Sequence, residues 1–231
     1  MSALIPIGFL LLIIVVGYFA WQAKVKRRQG LAAFAGQYGM QYAQDDPFGL
    51  VHYAFDLFNK GDGRGIENVV WGAWQGCSVR EADYWYYEET TDSNGHRSRS
   101  YRHYSVALVD VGLNLRALSV APEGFFSRLA DHVGLRDIDF ESEEFNLRFN
   151  IRSPDREYAF KIVDARMMRF LLTTRATGFE TNGPWVLVYT KRLKPTELIP
   201  VLGAAKGFND NIPRLVRTEF AIDNERKEMT S

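Results

Sequence analysis

Apolar residues crowd the start of the chain without any strand or helix period. The run ALIPIGFLLLIIVVGYFAW, Ala3 to Trp21, holds no charged residue. As a helix it measures about 28 Å at about 1.5 Å per residue, close to the hydrocarbon thickness of a bilayer. Pro6 falls in the first turn, where a missing N–H costs little, and Tyr18 and Trp21 stand near the far end, where amphipathic rings favour the membrane interface. The pattern predicts a transmembrane helix over 3–23. A cleaved signal peptide would need a basic n-region, a shorter apolar core and a small-x-small site, whereas here nothing basic precedes the run beyond the amino terminus, and Phe19 to Gln22 is bulky.

Further on, the period becomes helical. Between Arg28 and Tyr42, Leu31, Phe34, Ala35 and Tyr38 share one helical face, which predicts a helix that docks on the domain and ends at QDDPFG. NKGDGRG, Asn59 to Gly65, is a turn cluster. IENVVWGAWQGCSVREADYWYYEE then reads as a long strand region, Asn94-Gly95 as a hairpin turn, and YRHYSVALVDV as the returning strand. NLRALSV is one more strand, turned by Gly112 to Asn114. PEGFFSRLADHVG is helical, with Phe125, Phe126, Leu129 and Val133 on its apolar face and Gly134 past its end. SPDREYAFKIVDARMMRFLLTT opens on Ser153-Pro154, an N-cap and N1 pair, and spaces Tyr158, Ile162, Met168 and Leu171 as a helix would. FETNGPWVLVYTKR is a hairpin around Asn182-Gly183 with Trp185 to Tyr189 a buried strand, and an amphipathic helix covers Thr196 to Phe208. Strand groups interleaved with helices and joined by hairpins predict an α+β fold with a mainly antiparallel sheet and packed helices. The domain occupies 31–222, with a polar tail over 223–231.

Charge adds orientation. KVKRR places Lys24, Lys26, Arg27 and Arg28 in a basic juxtamembrane segment, 24–30, straight after the apolar run. The positive-inside rule then puts this flank and the domain behind it in the cytoplasm, with the N-terminus out. The expected localisation is the cell membrane, single-pass, with the lipid bilayer as partner of the N-terminal helix. Over the whole chain 28 Lys plus Arg balance 28 Asp plus Glu. A dedicated nucleic-acid binder carries a basic face and a high pI, so no nucleic-acid partner is expected. Cys77 is the sole cysteine, which excludes an intramolecular disulfide and suits a reducing compartment.

Candidate chemistry begins with DIDFESEEFNLRFNIR, Asp137 to Arg152. Asp137, Asp139, Glu141 and Glu143 alternate, as do Phe145, Leu147, Phe149 and Ile151 against Asn146, Arg148, Asn150 and Arg152. Paired as a hairpin, the two halves would set an acidic face beside an arginine face, each cross-strand ion pair contributing about 0.2–1 kcal/mol. Divalent cations also take carboxylate oxygens, but calcium loops supply a glycine turn and backbone carbonyls that this stretch lacks. Cys77 and His103 are the one thiol–imidazole pair to consider. Pairing around Asn94-Gly95 sets His103 near Trp85, about 26 Å of strand from Cys77 at about 3.3 Å per residue. His52, His96, His103 and His132 form no metal spacing, and GDGRG lacks the Gly-Lys-Ser/Thr ending of a P-loop. No catalytic residue, metal ligand or cofactor follows from these patterns. The aromatics Tyr84, Trp85, Tyr86, Tyr87, Tyr101 and Tyr104 gather near the hairpin end and form a candidate protein-partner surface.

FNIRSPDREYAFKIVDARMMRFLL, with Phe149, Ile151, Ser153, Asp155, Ala159, Met168 and Leu171, resembles the ending of a family of uncharacterised bacterial membrane proteins that carry a domain of unknown function. ESEEFN and LSVAPEGF are similar to actinobacterial single-span relatives. The resemblance spans Leu118 to Tyr189 and implies a membrane-tethered cytoplasmic domain, with no catalytic residue carried over. The sequence is thus read as a single-pass membrane protein whose cytoplasmic domain binds or scaffolds at the inner membrane face. The alternative is a membrane-tethered hydrolase or divalent-ion-binding domain that uses the acidic stretch 137–144.

Overall fold

The computed structural model describes residues 4–123, 138–174 and 177–222, without the side chains at 4–8 and 10. Its antiparallel sheet comprises β1 (Gln41–Ala43), β2 (Gly63–Trp74), β3 (Cys77–Thr91), β4 (Arg97–Pro122), β5 (Phe149–Arg152) and β6 (Gly178–Lys191). Val106 of β4 pairs with both Ala82 of β3 and Tyr189 of β6, and Ser119 of β4 pairs with both Arg152 of β5 and Glu180 of β6. A strand has two edges, so β6 takes one edge of β4 while β3 and then β5 share the other. The expected α+β class, one domain with a mainly antiparallel sheet and helices, is what the chain forms.

Side-chain alternation sorts the sheet into two faces. Val79, Ala107, Val109 and Val188 belong to one core, with Leu31 and Phe34 of α1 (Leu4–Gln37) and Leu202 and Ala205 of α5 (Ile199–Asn211). Ala82, Tyr84, Leu108 and Leu187 belong to the other, closed by Leu50, Phe55, Leu57 and Phe58 from the short 3-10 turns before β2. The first core also takes in α2 (Glu143–Asn146), α3 (Arg156–Ile162), α4 (Ala165–Thr173) and α6 (Arg214–Glu219) through Phe145, Tyr158, Met167 and Val216.

Helix α1 runs unbroken from the apolar N-terminal run into the first core. Leu31, Phe34 and Ala35 are buried as their spacing predicts, and Tyr38 closes on the Phe34 and Trp74 rings at 4.8 and 5.3 Å. The helix ends earlier than QDDPFG, at Gly39, whose φ of 65° suits glycine. There the Met40 N–H donates to the Ala35 carbonyl at 2.8 Å, satisfying one of the last helical acceptors. Positions 4–23 of the expected span are helical, and the described side chains from Phe9 to Phe19 are all exposed. No helix among the described residues is long and apolar enough to cross a membrane.

Several expected turns resolve differently. The long strand region is two strands, because Gln75 (φ 47°) and Gly76 (φ 82°) both take the positive φ that a tight hairpin turn requires. Gly112 to Asn114 and Asn182-Gly183, read as separate hairpin turns, instead face each other as irregularities in one continuous β4–β6 ladder. The register passes from Asp110↔Trp185 to Leu115↔Gly183 to Leu118↔Thr181, so β4 carries the extra residues. The pair bends sharply there. Gly178 and Tyr189 lie eleven residues apart, about 36 Å along a straight strand at about 3.3 Å per residue, yet a Cβ on Gly178 would stand 2.2 Å from Tyr189 Cζ.

The helix expected from Ser153 is broken in two. Asp155 caps α3, accepting from the Tyr158 N–H at 2.9 Å, and Asp164 caps α4, accepting from Met167 at 2.8 Å. Ser153 ties the turn to β4 instead, its hydroxyl donating to the Ala117 carbonyl at 2.7 Å. The C-terminal helix expected at Thr196 begins as α5 at Ile199, after a 3-10 turn over Pro195–Glu197. The helix expected over PEGFFSRLADHVG falls largely outside the described residues, as does the tail from Asp223.

Candidate functional site

The site grows from the alternation of β3. Glu81 and Asp83 alternate with Ala82 and Tyr84, so both carboxylates fall on the face that α1 covers. Glu81 is 1% exposed and Asp83 2%. Arg27, a turn before Leu31 on α1, reaches down and grips Asp83 with a forked pair of bonds. Its Nε donates to Oδ2 at 2.6 Å, its Nη2 donates to Oδ1, and its Nη1 donates to the Leu193 carbonyl at 2.7 Å. Asn68 Nδ2 (2.9 Å) and Arg192 Nη2 (3.0 Å) also donate to Asp83 Oδ2.

Burial works against the Arg27 charge, yet the Asp83 bonds and charge outweigh it and hold the guanidinium above its ordinary pKa. Burial, with Asp83 beside it, pushes the Glu81 carboxyl well above the carboxylate range. The seam therefore carries a carboxylate shared by two guanidiniums and, next to it, an acid whose burial favours the protonated form. Of the four residues expected to set topology, Arg27 is thus an internal tie between helix and sheet. Lys24 and Lys26 are exposed, and Arg28 is half-buried.

Beside this tie a groove of about 740 Å³ opens between α1 and the chain that leaves β6. Lys24 and Lys26 line one wall, Lys194 and Glu197 the other, with Arg27 and Arg192 between. Leu193 and Pro195 give it apolar surface. The walls meet at Gly30, where a Cβ would lie 2.9 Å from Pro195 Cγ, so glycine permits the close approach.

The six aromatics divide by the same alternation. Tyr84, Tyr86 and Tyr104 are buried in the second core, and the Tyr84 hydroxyl donates to the Leu57 carbonyl at 2.7 Å. Their rings are therefore packing residues and offer nothing to a surface. Trp85 and Tyr87 are half-buried and Tyr101 is 51% exposed on the opposite face. Trp85 and Tyr87 stack at 6.4 Å, and Tyr101 meets Tyr87 at 5.4 Å. The rings lie over glycines: a Cβ on Gly63 would be 2.4 Å from Tyr87 Cε1, and one on Gly65 2.8 Å from Trp85 Cζ2.

The acidic stretch forms no strand face. Ser142 caps α2, with its hydroxyl accepting from Phe145 N–H at 3.3 Å, and Glu143 and Glu144 fill that helix's first turn, where a carboxylate suits the dipole. Glu144 pairs with Arg148 at 3.1 Å within the same segment. β5 pairs with β4, and the acidic half meets β5 where the Ile138 N–H donates to the Ile151 carbonyl at 2.8 Å. Asp137 lies outside the described residues. The Phe149 and Ile151 alternation holds, but Leu147, expected on the same buried face, is exposed because it closes α2.

Among the described residues no group of three or more His, Cys, Asp or Glu is placed to hold a metal ion. His103 sits opposite Trp85, the register read from Asn94-Gly95, which leaves it remote from Cys77. Cys77 is half-buried, with Asn209 Nδ2 3.6 Å from its sulfur. His132 lies outside the described residues.

A third buried acid, which like Glu81 and Asp83 the sequence pattern does not mark, lies on β6. Glu180 on β6 accepts from the Asp56 and Leu57 N–H groups at 2.6 and 3.1 Å, lining a cleft of about 210 Å³ with Asp56, Arg152 and Thr181. Burial raises its pKa to about 8, with Asp56 adding to the shift. Its sequence context, FETNG, resembled an exposed turn, so nothing in the pattern marked it as internal.

Neither a protein-family model nor a curated relative matches the chain. Among solved structures, the fold is similar to the crystal structure of the mycobacterial trehalose monomycolate transport factor A, TtfA. The TM-score is 0.59 at 18% sequence identity, covering 81% of this chain and 95% of that one. The similarity shows a shared fold with a mycobacterial protein, and the family resemblance read from FNIRSPDREYAF has no matching family model behind it.

Proposed function

We propose that the chain is a single-pass, membrane-anchored binding or scaffolding factor that serves lipid transport at the inner membrane face. Residues 3–23 cross the bilayer with the N-terminus out, and the α+β domain stands in the cytoplasm. The observation that carries this reading is the continuity of α1. Its upper part presents Phe9 and the residues from Leu11 to Phe19 to the surroundings on every side, and its lower part is locked into the core by Leu31, Phe34 and the Arg27–Asp83 fork. An exposed apolar helix that encounters no protein partner is stable in hydrocarbon, and the rigid joint below it fixes the domain's pose against the bilayer surface. The transport role draws on the fold shared with TtfA, a mycobacterial trehalose monomycolate transport factor.

The hydrolase or divalent-ion alternative requires the carboxylates of 137–144 to converge on one point. Glu143 and Glu144 instead spend their charge on the start of α2 and on Arg148. The surface left to a protein partner is Trp85, Tyr87 and Tyr101, on the face of the sheet that α1 crosses.

A C-terminal reporter that is active only in the cytoplasm tests the orientation, with carbonate extraction testing the anchor. We expect reporter activity and retention in the membrane pellet. A signal from a reporter active only outside the cytoplasm, or release by carbonate, overturns the anchor reading. Purification of the full chain from detergent, followed by mass spectrometry, should recover a protein partner, and its loss with Trp85→Ala and Tyr101→Ala would place the contact on the aromatic face.

A further inference from the structure

The groove beside Arg27 combines three properties. It gathers lysines from two distant parts of the chain, Lys24 and Lys26 from α1 and Lys194 from the segment after β6, against one acid, Glu197, which lies 3.5 Å from Lys194. Its deeper guanidiniums, Arg27 and Arg192, are already committed to Asp83, so a ligand meets Lys24, Lys26 and Lys194, the last in an exposed pair with Glu197 that an anionic group can displace. Its volume, about 740 Å³, falls in the range of about 300–1,000 Å³ typical of small-molecule sites.

The third property is what lies above it. Ala23, Lys26, Arg27 and Gly30 line the groove at i, i+3, i+4 and i+7, one face of α1. Followed toward the N-terminus, that face continues as Phe19, Val16 and Leu12, all exposed. A basic, solvent-open concavity thus leads straight into an apolar helical stripe, the complement of a molecule with an anionic head and a hydrocarbon tail.

We propose that the groove is a binding site for an anionic phospholipid of the surrounding bilayer. Its phosphate-bearing headgroup is held by Lys24, Lys26 and Lys194, and its acyl chain lies along Phe19, Val16 and Leu12. The inference rests on the anchored orientation proposed above, since that orientation sets Lys24 and Lys26 at headgroup depth. A bound lipid would bridge α1 to the β6 segment and stiffen the joint from which the domain hangs.

Full-length protein in uncharged detergent micelles is titrated with phosphatidylglycerol, with phosphatidylcholine and with soluble glycerol phosphate, and bound lipid is read by native mass spectrometry. Phosphatidylglycerol should bind, phosphatidylcholine at least tenfold more weakly, and glycerol phosphate alone not measurably. Lys24→Ala with Lys194→Ala should weaken phosphatidylglycerol roughly 25-fold, at about fivefold for each cation near an anionic headgroup. Arg148→Ala with Arg156→Ala removes the same charge from an exposed site elsewhere and should change nothing.

Equal binding of the two lipids would overturn the proposal, as would full affinity in the lysine variant or equal loss in the remote variant. Tight binding of glycerol phosphate alone would make the ligand a soluble phosphate and overturn the lipid. Release of the protein by carbonate would instead sink the anchor, an outcome separate from all of these.

Discussion

Arg27 was one of four basic residues assigned to topology, and the structure gives it a second task that mutation separates from the first. A side chain that only orients the helix needs charge, so Arg27→Lys should be neutral. A side chain that ties α1 to Asp83 needs the planar fork, which lysine cannot reproduce. Asp83 is 2% exposed, and the Arg27 side chain 13%. Removing one partner of a buried pair costs about 3–5 kcal/mol, because the other charge is left without compensation. Arg27→Ala should fall near the lower end, about 3 kcal/mol, since Arg192 and Asn68 still donate to Asp83. Asp83→Ala should reach about 5 kcal/mol, because it strands two guanidiniums and an amide at once. Lys24→Ala and Lys26→Ala, both exposed, should stay within about 0.5 kcal/mol. Urea unfolding of the full chain in mild detergent, followed by tryptophan fluorescence, measures all five variants. If Arg27→Lys matches the wild type, or Arg27→Ala costs no more than Lys24→Ala, the tie contributes nothing and the reasoning fails.

Three further outcomes follow from the packing. Glu180 binds its proton more tightly when folded, its pKa rising from an ordinary 4.5 to about 8, so its contribution is complete below about pH 4.5 and is lost as pH rises through about 8; buried Glu81 is shifted in the same direction. Thermal melts from pH 5 to 8 should show a declining midpoint whose slope becomes shallower in Glu180→Gln, with Glu81 keeping the remainder; an unchanged slope in that variant would refute the assignment. Phe149→Ala on the buried face of β5 should cost about 3–5 kcal/mol, while Asp139→Asn on the exposed stretch costs within about 0.5 kcal/mol. A midpoint raised by millimolar calcium that vanishes in Asp139→Asn would instead favour the metal-binding alternative. Gly178→Ala should destabilise by about 1–3 kcal/mol as its Cβ meets the buried Tyr189 ring, whereas Gly36→Ala, in open space on α1, should stabilise by about 0.5–1 kcal/mol in the same denaturation assay.

What was legible in the sequence was local chemistry with one dominant solution. Asn94-Gly95 set the β3–β4 register down to the Trp85–His103 pair, because the turn fixes pairing over the strands that flank it. Leu31, Phe34 and Ala35 announced the docked face of α1 by their spacing. Turn residues misled where their conformation is shared by other structures. Gly112 and Gly183 take positive φ, which a hairpin turn and a bulge both require, and the pattern around one glycine cannot say which. The decision lies in the partner strand: β4 and β6 stay paired on either side of both glycines, so the chain bends without reversing its neighbours.

The acidic stretch failed for a related reason. Alternation from Asp137 to Glu143 fits a strand, but Ser142 followed by two acids and Phe145 also fits a helix cap, and the burial of Phe145 in the first core selects the helix. Burial is likewise what separates the six aromatics. Tyr84 and Trp85 are adjacent in one sequence pattern that marks both as strand residues, yet which face meets the 3-10 turns of 50–59 depends on a segment some thirty residues away. A still longer separation in sequence hid the site. Arg27 finds Asp83, and Lys24 comes to line one groove with Lys194, only after the sheet has formed, so a run read as four equivalent charges becomes one structural tie and a set of lysines beside an open groove. A ligand that needs both walls of that groove therefore reports on whether α1 is docked: the lysine variants remove its cations and leave the joint, whereas Arg27→Ala loosens the joint and leaves the lysines.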